Sequence, residues 1–165
     1  MDNTASNLEN RNAFAAHQKW GGTYLVVADE SEEFHIALKY AVRMANANKC
    51  RIGVFYTMQG GDFMHWGNIQ KRLADDQRAQ AEEVLTSACY EVEDCGGDIP
   101  ALYLTEGNPV KALANAIDND PSISMLILAG GTSGKGPGPL VSYFTGKGFS
   151  RLGIPVLVVP DHFDL

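Results

Sequence analysis

The stretch Ser124-Met-Leu-Ile-Leu-Ala129 runs directly into Gly130-Gly-Thr-Ser-Gly-Lys-Gly-Pro-Gly138. The first six residues have the apolar character of a buried strand, and the nine that follow have the composition of a turn. Glycines tolerate positive φ angles and carry no side chain, so several backbone N–H groups can converge on one anion. The sequence therefore predicts a buried strand that ends in a turn able to surround a phosphate group.

The residues after this turn predict a helix and a last strand. Pro139 suits the first turn of a helix, and apolar residues recur at helical spacing as far as Leu152. The N-terminus of such a helix would add its partial positive charge to the turn. The apolar run Ile154-Pro-Val-Leu-Val-Val-Pro160 then predicts the strand that completes the sheet.

Three helices are predicted upstream of this region. Asp29 and, three residues later, Glu32 form a capping-box pattern before the first of them. Asn108 and Pro109 are typical of the N-cap and the first turn of the third. The second is long and amphipathic, and it has one continuous stripe predicted to face inward: Leu73, Gln77, Ala81, Val84, Leu85, Ala88 and Val92.

Strands alternate with these helices, at Tyr24–Ala28, Arg51–Thr57, Ala101–Leu104, Ser124–Ala129 and Ile154–Pro160. Such alternation predicts an α/β fold, a single-domain, doubly wound, Rossmann-like parallel sheet of five strands with helices on both faces. If the strand order is 3-2-1-4-5, the loops after strands one and four lie side by side beyond the carboxyl ends of the strands. Ligands bind at that place in sheets of this kind.

Length and composition limit the other possibilities. A chain of 165 residues with 45% hydrophobic content forms one domain, here residues 23–165, after a mobile N-terminal arm at residues 1–22. The net charge of −7 argues against nucleic-acid binding, which needs clustered Lys and Arg. With no membrane-length apolar run and no signal peptide, we expect a soluble, cytoplasmic protein. The three cysteines lack the spacing of a metal site, so we expect buried thiols and no metal.

Several of these segments together resemble the universal stress protein family. The resemblance covers Thr23 to Pro160, nearly the whole domain, and no single segment would be specific. It implies a five-stranded α/β sandwich, a homodimer often formed through the last strand and, in one subclass, ATP held between the loops after strands one and four. The segments that carry it are Val26-Val-Ala-Asp29 before Ala37-Leu-Lys-Tyr-Ala41, Glu106-Gly-Asn-Pro109, Leu126-Ile-Leu-Ala-Gly-Gly131 and Ile154-Pro-Val-Leu-Val-Val-Pro160.

The ATP-binding subclass carries the loop pattern G-x2-G-x9-G-[ST], which this chain matches in part. Gly131 and Gly134 supply the first two glycines, but direct counting places Phe144 at the third. Counting back from the last strand instead places Ser142 and Tyr143 at the final pair. The resemblance thus implies a set of candidate nucleotide-binding residues, namely Ala28, Asp29, Thr57, Gly131, Gly134, Lys135, Ser142 and Tyr143.

Two hypotheses for the function remain open. The chain is either a stress-response regulator or sensor that binds ATP, with magnesium, or a related adenine nucleotide, or a dimeric module without nucleotide that engages an unknown protein partner. Asp29 has a plainer role as a helix cap, and the glycine segment as a tight turn. No nucleophile–base pair is visible, so no catalytic residue is assigned, and weak ATP hydrolysis is the most that we expect.

The last strand and an aromatic segment are candidate contact surfaces. Val156, Leu157, Val158 and Val159 would form the open edge of the sheet, where unpaired backbone groups favour pairing with a second copy in a two-fold homodimer. The segment Gly60-Gly-Asp-Phe-Met-His-Trp-Gly67 is either a lid or interface patch, or a loop that folds its aromatic residues onto the sheet.

Overall fold

The structure, a computed structural model, describes residues 21–58, 67–132 and 136–164. The predicted N-terminal arm therefore lies outside the described residues except for Gly21 and Gly22. Residues 59–66, which include all of the aromatic segment except Gly67, also lie outside the described residues. So do two candidate site residues, Gly134 and Lys135.

Five parallel strands form one sheet in the order β3-β2-β1-β4-β5, which confirms the predicted fold class. β1 lies in the middle and pairs with both β2 and β4, while β3 and β5 form the two edges. The strands are β1 (Thr23–Val27), β2 (Arg51–Met58), β3 (Ala101–Glu106), β4 (Ile123–Gly130) and β5 (Val156–Pro160).

Helices cover both faces of the sheet, as its doubly wound topology requires. The described residues form the helices α1 (Glu32–Asn48), α2 (Gly67–Asp94), α3 (Pro109–Asn119) and α4 (Pro139–Phe144), with a short 3-10 helix at Phe149–Arg151. Residues of α1 and α2 share one buried cluster with one face of the sheet, and residues of α3 and α4 share a second cluster with the other face. Alternate residues of β1 show the division, because Val26 belongs to the first cluster and Leu25 to the second.

The predicted inward face of α2 is confirmed. All seven residues of the α2 stripe are buried or half-buried, and Leu113, Ala114 and Ile117 of α3 are buried. Asn108 caps α3 as predicted, because its side-chain oxygen accepts a hydrogen bond from the Lys111 N–H at 3.1 Å. In the part of the chain that the structure describes, no helix combines the length and the apolar character needed to cross a membrane.

The predicted capping box at Asp29 is wrong. The N-cap of α1 is Ser31, whose hydroxyl accepts a hydrogen bond from the Phe34 N–H at 3.3 Å. Asp29 instead accepts a hydrogen bond from the Ser31 N–H at 2.9 Å, as in an Asx turn. The helix therefore begins two residues later than the pattern indicates, and the plain alternative for Asp29, a direct helix cap, is excluded.

The helix after the glycine turn is shorter than predicted. α4 ends at Phe144, and Leu152 lies beyond the 3-10 helix. The N–H groups of Gly146 and Gly148 both donate to the carbonyl of Tyr143, which closes a turn in place of further helix. Thr145 supports this end through its hydroxyl, which donates to the Val141 carbonyl at 2.7 Å. A helix of six residues contributes a smaller dipole to the turn than the predicted one would.

The three cysteines are free thiols, but the expectation that they are buried is wrong. Cys50 and Cys89 are half-buried and Cys95 is exposed.

Gly53 in β2 gives a test of the sheet packing. A Cβ atom at this position would lie 2.9 Å from Thr23 Cγ2 and 2.9 Å from Tyr103 Cε2, inside van der Waals contact. We expect Gly53→Ala to lower the free energy of unfolding by about 1–3 kcal/mol, the usual cost of overpacking. Gly153→Ala is the matched control, since a Cβ there meets no atom within 4 Å, and urea unfolding should show the two variants to differ. Equal stabilities would contradict the described packing.

Candidate functional site

A cleft of about 400 Å³ lies at the carboxyl ends of β1 and β2. This is a usual size for a small-molecule site, which spans roughly 300–1,000 Å³. It lies at the place where the strand order reverses, because the chain continues from β1 to β2 on one side and from β4 to β5 on the other. The residues that line it are Val27, Ala28, Asp29, Glu30, Tyr56, Thr57, Met58, Gln77, Gln80, Pro109 and Leu140.

Asp29 is held in the wall of this cleft by its own turn. The preceding Ala28 is buried, and its N–H donates to the Phe55 carbonyl at 2.8 Å, which fixes the end of β1. The Asp29 carboxylate accepts hydrogen bonds from the N–H and the hydroxyl of Ser31, both at Oδ1. Both of these bonds use Oδ1, and Asp29 Oδ2 makes no hydrogen bond to any other described residue.

The end of β2 supplies the opposite wall. The hydroxyl of Thr57 lies 3.1 Å from that of Thr105, and the Thr105 hydroxyl also donates to the Tyr56 carbonyl. Burial raises the pKa of the Tyr56 hydroxyl, and the carboxylates of Glu30 and Asp29 raise it further. The carboxylates of Glu30 and Asp29 therefore lie close enough to Tyr56 to disfavour its ionised form.

The charged residues in the described lining of the cleft are both acidic. Asp29 and Glu30 line it, and no Lys or Arg does so within residues 21–58, 67–132 and 136–164. Gln80 of α2 donates a hydrogen bond to Glu30 Oε1. This pair separates the cleft from a second cavity of about 260 Å³ that shares Asp29, Glu30 and Gln80 with it and continues between α1 and α2.

The glycine turn after β4 borders the N-terminal turn of α1. A Cβ atom on Gly131 would lie 3.3 Å from Glu33 Oε1 and 3.7 Å from the carbonyl oxygen of Gly136. Gly136 and Gly138 have φ angles of 81° and 95°, which favour glycine. The turn therefore needs several of its glycines for its shape, whatever it binds.

The structure brings together only part of the predicted set. Ala28, Asp29 and Thr57 line the cleft, and Gly131 lies in the turn beside it. Ser142 and Tyr143 do not line the described cleft. Ser142 is exposed on α4, and the ring of Tyr143 packs beside Gly148 and edge-on to the Phe144 ring at 5.1 Å between centroids.

The other eight lining residues lie outside the candidate set drawn from the sequence: Val27, Glu30, Tyr56, Met58, Gln77, Gln80, Pro109 and Leu140. Gln77 carried a signal, since it is a polar residue in the otherwise apolar stripe of α2. Glu30 is adjacent to a predicted site residue, whereas nothing in the sequence marks Gln80.

Asp161, directly after β5, fixes the start of the glycine turn. Its carboxylate accepts hydrogen bonds from the N–H of Thr132 at 2.9 Å and from the Thr132 hydroxyl at 2.5 Å. Its own N–H donates to the Gly130 carbonyl at 3.1 Å. We call this group of contacts the Thr132–Asp161 clasp. Through it the turn is attached to the edge strand of the sheet.

No group of three or more His, Cys, Asp or Glu side chains among the described residues could hold a metal ion.

Comparison with solved structures identifies the fold as that of the universal stress proteins. UspA from Lactobacillus plantarum superposes with a TM-score of 0.68 at 18% sequence identity, over 86% of this chain and 99% of that protein. A universal stress protein in complex with cAMP matches with a TM-score of 0.59 at 18% identity, over 85% and 97% of the two chains. The universal stress protein from Archaeoglobus fulgidus in complex with dAMP matches with a TM-score of 0.58 at 14% identity, over 86% and 98%.

No known family profile and no curated protein matches the sequence. At identities below one fifth, the solved structures establish the fold, and the resemblance seen in the sequence is confirmed at that level.

The clasp predicts how Asp161 titrates. The side-chain and backbone hydrogen bonds from Thr132 lower the pKa of Asp161 from 3.8 to about 2, and His162 adds a smaller contribution. Because the pKa is lowered in the folded state, the stabilisation from this carboxylate is complete above pH 3.8 and is lost as the pH falls towards 2.

Thr132→Val removes the hydroxyl donor and keeps the N–H, so we expect the Asp161 pKa to rise towards 3.8. Carbon-detected NMR of the carboxyl group during a pH titration measures it. An unchanged pKa in Thr132→Val would show that the hydroxyl bond does not persist in solution.

Proposed function

We propose that this chain is a universal stress protein that acts as a stress-response regulator or sensor by binding an adenine nucleotide between the loops after β1 and β4. The observation that carries the proposal is the cleft at the reversal of strand order, which is lined by Ala28, Asp29 and Thr57. The structures of similar fold in complex with cAMP and dAMP support the choice of an adenine ligand.

The cleft has suitable groups for the adenosine part of such a ligand. Asp29 Oδ2 is a free acceptor for a ribose hydroxyl or for the adenine amino group. Thr57 offers a hydroxyl, and Val27, Met58 and Leu140 provide apolar surface for a base. The phosphates would then extend towards Gly131 and the rest of its turn, where backbone N–H groups are the available donors.

The remaining candidate residues do not line the described cleft, and the proposal gives each a role outside it. Gly134 and Lys135 would contribute through the turn, and Lys135 would supply a positive charge for the phosphates. Ser142 and Tyr143 on α4 would need a shift of that helix to reach the ligand, since they do not line the described cleft.

The first test asks whether the protein binds an adenine nucleotide at all. Freshly purified protein is denatured, and any released nucleotide is identified by chromatography. Stripped protein is then titrated with adenosine, AMP and ATP, the last with magnesium, during thermal unfolding. Ligand at 100 times its dissociation constant should stabilise the fold by about 2.7 kcal/mol, a shift of several degrees. No released nucleotide and no shift would reject the proposal in favour of a module that engages protein partners without nucleotide.

A variant of Asp29 locates the site. Asp29→Ala removes the free carboxylate oxygen, and we expect a loss of about 1.5–3 kcal/mol of binding free energy, typical of a hydrogen bond to a charged group. Ser31→Ala is the control, because it removes the hydroxyl bond to Asp29 and the cap of α1 but no lining group. Isothermal titration calorimetry should show weakened binding in Asp29→Ala only. Equal losses in both variants would assign the effect to the turn.

We further propose that the protein forms a two-fold homodimer through β5, using Val156, Leu157, Val158 and Val159. β5 is an edge of the described sheet. The Pro155 carbonyl accepts a hydrogen bond from the Leu126 N–H, and the Asp161 N–H donates to the Gly130 carbonyl. The backbone N–H and C=O groups of the odd-numbered residues of this segment therefore point towards β4. Since bonding groups alternate along a strand, the N–H and C=O groups of Val156 and Val158 face the open edge. A second β5 can pair with them.

Val158→Pro tests this pairing. Proline lacks the N–H that faces the open edge, while the ladder to β4 uses the neighbouring residues and remains possible. We expect the wild-type protein to sediment as a dimer and Val158→Pro as a folded monomer in analytical ultracentrifugation. A monomeric wild type would reject the proposed dimer. A Val158→Pro variant that dimerises with an unchanged dissociation constant would show that the interface lies elsewhere.

A further inference from the structure

The edge strand β3 carries exposed apolar side chains. Leu102 is 49% and Leu104 is 40% exposed, and Ile99, shortly before the strand, is 70% exposed. Leu102 pairs with Val54, which belongs to the cluster shared with α1 and α2, so Leu102 and Leu104 point to that face of the sheet. The described residues therefore leave this face only partly covered at β3.

The backbone of the same strand has open hydrogen-bonding groups. Among the described residues, β3 pairs with β2 alone. The Gly107 N–H donates to the Met58 carbonyl at 3.0 Å, so the odd-numbered residues of this segment bond to β2. Since bonding groups alternate along a strand, the N–H and C=O groups of Leu102 and Leu104 point away from β2. Such an edge is a template for another strand.

Residues 1–20 join the described chain close to this edge. The Arg51 N–H donates to the Gly22 carbonyl at 2.8 Å, and the Arg51 guanidinium donates to the Ile99 carbonyl at 3.4 Å. Arg51 thus connects the place where residues 1–20 end to the residues that lead into β3. All five strands are parallel and start at this end of the sheet. A segment that runs along β3 towards Gly21 would therefore be antiparallel to it.

The strand pairings give the distance that this segment has to cover. Val26 pairs with Val54, and Val54 pairs with Leu102, so Leu102 lies two strands from β1 at the level of Val26. Gly21 is five residues before Val26. The path from Gly21 to Leu102 is thus about 16 Å along the strands and about 10 Å across them, or roughly 19 Å in all.

Phe14 is the large apolar residue that this distance favours. The seven residues from Phe14 to Gly21 span at most roughly 23–25 Å, which is enough to reach Leu102. Trp20 directly precedes Gly21 and cannot reach so far.

The charges of the two segments are complementary. Between residues 10 and 20 the chain carries Arg11 and Lys19 and no acidic residue. β3 is flanked by Asp98 before it and by Glu106 at its end, and both are exposed. In an antiparallel arrangement Lys19 approaches the end with Asp98, and Arg11 approaches the end with Glu106. Opposite charges that face each other across a pair of strands stabilise the pairing.

We infer that residues 10–14, which lie outside the described residues, add to the sheet as an antiparallel strand beside β3, with the Phe14 ring against Leu102 and Leu104. The occupant of this edge is a segment of the same chain. Its role is to cover an apolar edge that would otherwise favour association with further strands. The inference is independent of nucleotide binding.

Amide hydrogen exchange of the full chain, measured residue by residue by NMR, tests the inference. The N–H groups of Leu102 and Leu104 should be protected in the wild type. Phe14→Ser should speed their exchange at least about tenfold, because burial of a phenylalanine side chain favours the docked state by that factor or more. Exchange at Val156 and Val158, on the other edge of the sheet, should stay the same.

Phe149→Ser is the matched control. Phe149 is 63% exposed and lies between α4 and β5, the edge strand opposite β3, so this variant removes the same side chain at a remote place. It should leave the exchange of Leu102 and Leu104 unchanged. Thermal unfolding checks that both variants are folded. Equal acceleration in the two variants would assign the effect to lower global stability and overturn the inference.

Other states of the edge give different results, and each of them overturns the inference. Fast exchange of Leu102 and Leu104 in the wild type would show that the edge is open. Protection that survives in Phe14→Ser would show that another occupant covers it. Dependence of this protection on protein concentration would identify a second copy, and its loss in Phe63→Ser would identify residues 59–66.

Discussion

The pairing of β1 with β4 at the centre of the sheet is the constraint on which the rest of the structure depends. Both strands are covered by helices on both faces, and Leu25 pairs with Leu126 where neither has exposed surface. The chain leaves β1 towards β2 and leaves β4 towards β5, so the two following loops diverge. The cleft lies next to this divergence, at the carboxyl ends of β1 and β2, and Leu140 from beyond β4 also lines it. Its position is thus a consequence of sheet topology and does not depend on the residues that line it.

The sequence predicts the sheet and most of the helices because burial leaves a periodic record in it. The apolar run before Asp29 identifies β1, and the stripe from Leu73 to Val92 identifies α2. The positions of Asp29 and Thr57 in the cleft could also be predicted from the sequence, because residues that directly follow or end parallel strands lie at one edge of the sheet. Periodicity does not report how a helix is positioned along the sheet. The contact of Gln80 with Glu30, fifty residues away, therefore had no sequence signal.

Competition between neighbouring polar residues explains the error at the start of α1. Asp29 and Ser31 are both good N-caps, and the pattern with Glu32 favours the first of them. In the fold, Asp29 accepts bonds from Ser31, and Ser31 caps the helix. Because both bonds to Asp29 use Oδ1, the residue can support the turn while Oδ2 remains open. The local geometry therefore makes a structural role of Asp29 in the turn compatible with a ligand role at Oδ2.

The glycine turn shows why composition alone cannot assign a phosphate site. Gly136 and Gly138 are required by their positive φ angles, and a side chain on Gly130 would lie 2.9 Å from Val158 Cγ1. A Cβ atom on Gly131 would lie 3.3 Å from Glu33 Oε1, so a side chain there would require the Glu33 carboxylate to shift. Each of these glycines has a conformational or packing reason that needs no ligand. The number of glycines in the turn therefore reflects its backbone conformation and its packing against β5 and α1. The glycine pattern alone therefore does not distinguish a phosphate site from a structural turn.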